Sequence, residues 1–163
     1  MLSFNRRHLL FLGAAALGAC GFTPAYAPGG AGNALQGQIE IDAPNTRAGY
    51  LLTRALENRF GRTSSARYGL SYGIDIRQDS IAISASNVAT RFNVLGNVTY
   101  ALRDLETGAV VTSGKVDSFT SYSASGTPVA TLAAERDAET RLMNILSEQI
   151  STRLLAAAPT PAQ

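Results

Sequence analysis

The chain has 163 residues and 17.1 kDa, enough for one domain with its own core and too little for two. Hydrophobic residues make up 45% and charged residues 16%, which excludes a disordered polyelectrolyte, and the lone cysteine excludes an internal disulfide framework or a Cys-cluster zinc site. The formal charge of +2 belongs to the N-terminus: without Arg6 and Arg7 the other 12 basic residues equal the 12 acidic ones, and a neutral body with one lysine, Lys115, excludes a nucleic-acid partner.

In chain order, Arg6 and Arg7 precede the apolar run Leu9–Leu17. A basic start followed by a run too short to span a bilayer predicts a signal peptide over residues 1–19. The run closes on Leu17-Gly18-Ala19-Cys20, which resembles the lipobox of bacterial lipoproteins. In those proteins the cysteine thiol takes a diacylglycerol, so the resemblance makes Cys20 the lipid attachment point and its lipid the membrane anchor. Asn5-Arg6-Arg7 also resembles a weak twin-arginine signal, which leaves Sec and Tat export both open. Gly21 in place of an aspartate is compatible with transport to the outer membrane. Residues 20–163 contain no histidine, which removes histidine acid–base catalysis, Ser-His-Asp triads and histidine metal sites from that part of the chain. A lipidated Cys20 is no free nucleophile either. The reading therefore assigns no catalytic residue, no metal and no cofactor.

Residues 20–34 hold the lipid-bearing cysteine and a tether rich in Pro, Gly and Ala, able to extend on the order of 45 Å. Leu35–Ile41 alternates as a short strand. Asn45 or Thr46 then caps a helix over about 47–60, with Leu51, Leu52, Ala55, Leu56 and Phe60 at helical spacing and Gly61 as its stop. Leu70, Tyr72, Ile74 and Ile76 alternate as a half-buried strand; Gln78-Asp79 reads as a polar turn, after which Ile81 and Ile83 resume the pattern. Beyond the hairpin Ser84–Asn87, the even positions from Val88 to Leu102 point inward and Asn93, Asn97, Thr99 and Arg103 outward. Glu106-Thr107-Gly108 turns the chain into a strand over Ala109–Ser123 carrying Val110, Val111, Val116, Phe119 and Tyr122. Thr127-Pro128 opens the last helix, whose stripe is Leu132, Leu142, Ile145, Leu146, Gln149, Ile150 and Leu154, running to about Ala156 before a disordered tail over 157–163. The expected fold is α+β: a single domain over 35–156 in two layers, a four-stranded mixed sheet in βαβββα order with two helices packed on one face.

The mature start Cys20-Gly21-Phe22-Thr23-Pro24-Ala25-Tyr26, the strand–helix opening and the two long strands before a long last helix together resemble the LPS-assembly lipoprotein family (LptE). The resemblance implies a non-enzymatic lipoprotein of the outer membrane, lipid-anchored and facing the periplasm. Such a protein plugs and helps assemble the barrel LptD and assists lipopolysaccharide insertion into the outer leaflet. Its partners would be that barrel, lipopolysaccharide and, through the anchor, the membrane. It also implies basic contacts to lipid A phosphates from the hairpin before the third strand and from the start of the last helix. That hairpin has no basic residue, so the nearest candidates are Arg91, within the strand, and Arg136, flanked by Glu135 and Asp137.

A second concentration of charge surrounds the first helix, where Arg47, Arg54, Arg59, Arg62 and Arg67 face only Glu57. It reads either as a phosphate-facing patch, with Arg54 and Arg59 as contacts, or as a solvated helix face in which Arg54 pairs with Glu57. An auxiliary subunit of a lipid-trafficking ABC transporter is the rival reading, and an apolar cleft between sheet and helices would favour it. Replacing the thiol tests the anchor: Cys20→Ser should yield an unprocessed or periplasm-soluble protein, scored by detergent partitioning and mass spectrometry of the N-terminus.

Overall fold

The computed structural model describes residues 34–83, 89–124 and 126–158. The signal peptide, Cys20, the tether up to Asn33, the Ser84–Asn87 hairpin and the tail from Pro159 lie outside the described residues. The elements are β1 (Ile39–Ile41), α1 (Arg47–Phe60), β2 (Tyr68–Ile83), β3 (Ala89–Asp104), β4 (Val110–Ser123) and α2 (Pro128–Ala157). The sheet order is β1-β2-β3-β4, with β1 parallel to β2 and the other neighbours antiparallel. Both helices pack on one face, so the α+β architecture is the expected one.

Local chemistry sets the boundaries. The Thr46 hydroxyl accepts from the N–H of Gly49 at 3.0 Å and starts α1. Gly61, at φ 78°, ends it while its N–H donates to Glu57 O. Thr127 caps α2 by accepting from the N–H of Ala130, with Pro128 following where no N–H is needed. β1 is shorter at its start than its alternation predicts, because residues 36–38 form a turn with Gly37 at φ 65° and the Gln38 N–H donating to Leu35 O. At its other end the Asp42 N–H donates to Leu70 O, and the next residue due to donate is Pro44, which has no N–H, so the parallel pairing stops. Leu35, read as strand, is helical, just ahead of that turn, and is fully buried.

The core lies between layers. Leu52, Leu56 and Phe60 of α1 and Leu142, Leu146, Ile150 and Leu154 of α2 meet Leu70, Val94, Val98, Leu102 and Val116 of the sheet. Each fully buried aliphatic side chain contributes about 1.5–3 kcal/mol relative to exposure. Gly96 is where α2 comes closest: a Cβ there would stand 3.0 Å from methyl carbons of both Leu142 and Leu146.

Two readings need correction, the β2 turn and the α2 stripe, and the inward face of β4, left open by the sequence, is set by the register. β2 is continuous through Gln78-Asp79, which form no turn; the irregularity falls later, as a register shift between Ser80 and Ala82. Gln78 stays in the strand because its side chain is engaged, accepting from the Tyr122 hydroxyl at 3.1 Å and donating to Glu135 Oε1 at 2.6 Å. In β4 the buried positions are Val116, Thr120 and Tyr122, whereas Phe119 and Val110 are exposed. A shift between Leu102 and Arg103 sets that parity, and period two then sends Phe119 outward. On α2 the buried stripe is Ala138, Leu142, Met143, Leu146, Ser147, Ile150, Ser151 and Leu154, while Leu132 and Ile145 stay exposed.

Side chains of α2 also close the outer edge of β4. Arg141 donates to Ser121 O at 3.3 Å, Gln149 to Asp117 O at 3.3 Å and Arg153 to Lys115 O at 2.6 Å. One helical row spaced by four residues thus runs down alternate outward carbonyls of the strand, since a helix turn (about 6 Å for four residues) nearly matches two strand residues (about 6.8 Å). The missing step is Ile145.

The inward face predicts a large penalty for charge. Val98→Asp buries an unpaired carboxylate and should lower stability by about 3–5 kcal/mol in urea unfolding. Asn97 faces outward, but its cross-strand partners are Asp75 and Asp117. Asn97→Asp should therefore cost about 1 kcal/mol through like-charge neighbours, a loss that added salt relieves.

Candidate functional site

The arginines near α1 do not form one patch. Arg47 pairs with Glu139 of α2 at 3.0 Å, Arg62 with Glu57 at 2.8 Å and Arg67 with Asp104 at 3.4 Å. Glu57 thus takes Arg62, not Arg54. The Arg47 and Arg62 pairs are exposed and worth roughly 0–1 kcal/mol each, the Arg67 pair is part-buried, and all three spend the charge a phosphate would need. Arg54 and Arg59 remain exposed on α1 five residues apart, about 140° around the helix, so they cannot converge on one anion. Arg59 lies instead on a groove of about 570 Å³ between the helices, with Asn58, Asn144, Glu148, Ser151 and Thr152.

Arg91 and Arg136 are not brought together either. Arg91 is exposed on β3 opposite Ser123, on the face away from the helices, whereas Arg136 is exposed on α2. Between these positions the structure builds a contact with no local sequence signal. The Phe92 and Tyr122 rings stack at 5.4 Å, and the Tyr122 hydroxyl, the Gln78 amide and the Glu135 carboxylate form a chain linking β4, β2 and α2. Burial first, then the Glu135 carboxylate, pushes the Tyr122 phenol above its ordinary range. At the other end, Asp104 closes the β3–β4 turn by accepting from Glu106 N and Thr107 N, each at 3.0 Å. The Thr107 N–H above all, then that of Glu106 and the Arg67 guanidinium, hold its carboxyl below the usual range against the opposing effect of burial.

The helix-free face of the sheet is a candidate contact surface. Across β2, β3 and β4 its rows are Asp79-Asn93-Ser121, Arg77-Leu95-Phe119, Asp75-Asn97-Asp117, Gly73-Thr99-Lys115 and Ser71-Ala101-Ser113. Four rows are polar or small; one carries the apolar pair Leu95 and Phe119, with Phe119 61% exposed. Period two predicts the polar positions, and only the observed register reveals Phe119. Among the described residues no group of acids, histidines or cysteines could hold a metal ion, and no helix is long and apolar enough to cross a membrane.

Residues 36–154 match the family described as LptE, lipopolysaccharide-assembly. The chain belongs to the LptE family. Its members are non-enzymatic lipopolysaccharide-assembly lipoproteins, so this chain is an assembly factor associated with the lipopolysaccharide transport machinery and not an enzyme. Among solved structures it is similar to a putative lipoprotein from Caulobacter crescentus, with 27% identity and a TM-score of 0.67 over 77% of this chain and 93% of that one. The fold is shared with rare lipoprotein B from Shewanella oneidensis (10% identity, TM-score 0.55, 73% and 92% of the chains). It is shared too with a minor lipoprotein from Acinetobacter baumannii (16%, 0.55, 77% and 95%). No curated protein sequence matches the chain.

The Tyr122 chain gives a pH prediction. A phenol whose folded pKa lies above its unfolded value near 10 contributes stability that is complete below pH 10 and lost as pH rises past it. Tyr122→Phe should cost about 1 kcal/mol at neutral pH through the lost hydrogen bond. That difference from wild type should shrink above pH 10 in urea unfolding measured across pH.

Proposed function

We propose that this LptE-family chain is anchored through Cys20 to the outer membrane facing the periplasm, where it plugs the lumen of the LptD barrel and helps it assemble. In that position it assists lipopolysaccharide insertion into the outer leaflet. The observation carrying this reading is the helix-free sheet face. Barrel interiors are polar, and a face of Asn, Ser, Thr and mixed charges offers hydrogen bonds to such a wall without a large apolar area to hide. The layer between sheet and helices is filled by Leu52, Leu56, Phe60, Leu142 and Leu146, and the groove between the helices is polar. The apolar cleft that would favour an auxiliary subunit of an ABC transporter is therefore not among the described features. Arg91, Arg136, Arg54 and Arg59 are dispersed, so each would meet a lipid A phosphate singly and not as one cluster.

The test is recovery of the tagged lipoprotein from detergent-solubilised outer membranes, with mass spectrometry of what accompanies it. One large β-barrel is expected; an inner-membrane ATPase complex would overturn the reading. Thr99→Trp with Lys115→Trp, exposed cross-strand neighbours on the open face, should reduce recovery of the barrel while leaving the melting temperature within about 2 °C, since exposed substitutions seldom move stability by more than about 0.5 kcal/mol.

A further inference from the structure

The two edges of the sheet are treated differently. The outward carbonyls of β4 are occupied by Arg141, Gln149 and Arg153. On β2 the bonds Tyr68 N to Gln38 O and Asp42 N to Leu70 O show that even-numbered residues aim their backbone groups away from β3. β1 covers only the start of that edge. From Tyr72 to Ser80 the outward N–H and C=O groups have no partner among the described residues. This window contains no proline and no lysine, the usual blocks to strand addition. The first turns of α1 lie over Tyr72, whose hydroxyl is 2.7 Å from that of Thr53. Further along the strand Ile74 and Ile76 stay half-buried at the margin of the core, while Asp75, Arg77 and Asp79 stand exposed on the open face.

We propose that a loop of the partner barrel, folded into the lumen, adds an extended segment here, beside β2 and in line with β1. The inference rests on the lumen reading above and deepens it by naming one contact. A closed barrel wall has every strand edge paired, so only a loop can bring free main chain to this window. Main-chain hydrogen bonds would give the affinity, and flanking side chains the choice of segment. Period two puts alternate residues of that segment on the two faces. On the helix side they would extend the apolar margin at Ile74 and Ile76. On the open side they would lie beside Asp75, Arg77 and Asp79, so basic, acidic, basic is the complementary order. The ends of this chain do not supply that pattern. Residues 20–33 and 159–163 hold Pro24, Pro28, Pro159 and Pro161 and no charged side chain. The window therefore calls for a segment of another protein.

Outer membranes carrying the tagged full-length lipoprotein provide the test. Even-numbered residues do not donate to β3, so Ile76→Pro keeps the chain's own ladder and removes one outward donor. Recovery of the barrel should fall about tenfold or more relative to Ile76→Ala, which loses the same apolar side chain but keeps the N–H. Asp75→p-benzoylphenylalanine and Ser80→p-benzoylphenylalanine, made singly, should each trap the same barrel loop on irradiation. The two trapped positions should lie about five residues apart, as strands paired residue for residue require. If Ile76→Pro unfolds in a thermal melt, the trapped positions alone decide. Equal recovery with Ile76→Pro and Ile76→Ala, or products on the barrel wall, overturns the inference and leaves the lumen reading standing. So does trapping of the tether or of a second copy. Wild type that recovers no barrel overturns the lumen reading itself, and this inference with it.

Discussion

The fold depends on α2 lying flat across β3 and β4. Gly96 allows that approach, with the methyls of Leu142 and Leu146 filling the space a side chain would need. With the helix seated, its row at 138, 142, 146, 150 and 154 covers the sheet. Its row at 141, 149 and 153 reaches over the rim to the β4 carbonyls. Two rows of one helix thus do separate jobs: one removes apolar surface from water, and the other occupies backbone acceptors that an exposed edge would offer to a stray strand. Thr120 joins them, its hydroxyl donating to Ala138 O from within the buried layer. The network of Gln78, Tyr122 and Glu135 extends the same seating toward the β2–β3 end.

How much of this the sequence discloses varies with the range of the physics involved. α1 is legible from end to end because a hydroxyl cap, a glycine stop and four-residue spacing are all local. The apolar face of β3 is legible because period two runs unbroken there. The continuity of β2 is not, since Gln78 and Asp79 look like turn residues until Tyr122, 44 positions away, holds the amide. The face of Phe119 is not legible for a similar reason. Its face depends on a one-residue shift at Leu102–Arg103, invisible without the partner strand. The arginine patch fails by the same logic: Glu139 and Asp104, which take Arg47 and Arg67, lie 92 and 37 residues away. Charge density along a sequence says little about charge density in space.

That dispersal bears on function. Catalysis needs titratable groups converging in a desolvated pocket with perturbed pKa values. Among the described residues the two perturbed groups, Asp104 and Tyr122, sit at separate sites, and each is explained by a structural hydrogen bond or by burial. The ion pairs are exposed and scattered over the helices and the open face. The surface is one for contact, in keeping with membership of a non-enzymatic assembly family.

The contrast between the two sheet edges extends this argument. An edge is a directional row of donors and acceptors, and the chain commits three long side chains of α2 to one of them. The other edge ends β1 at a proline and leaves a window whose centre carries Asp75 and Arg77 on either side of Ile76. Arg77 in that window pairs with Asp75 along its own strand, where Arg141 and Arg153 of α2 reach the carbonyls of β4. The open face can therefore meet a polar wall while the β2 edge remains available for main-chain pairing. The two surfaces share only the outward side chains of β2, so contact on the face and addition at the edge are geometrically separate uses of one sheet.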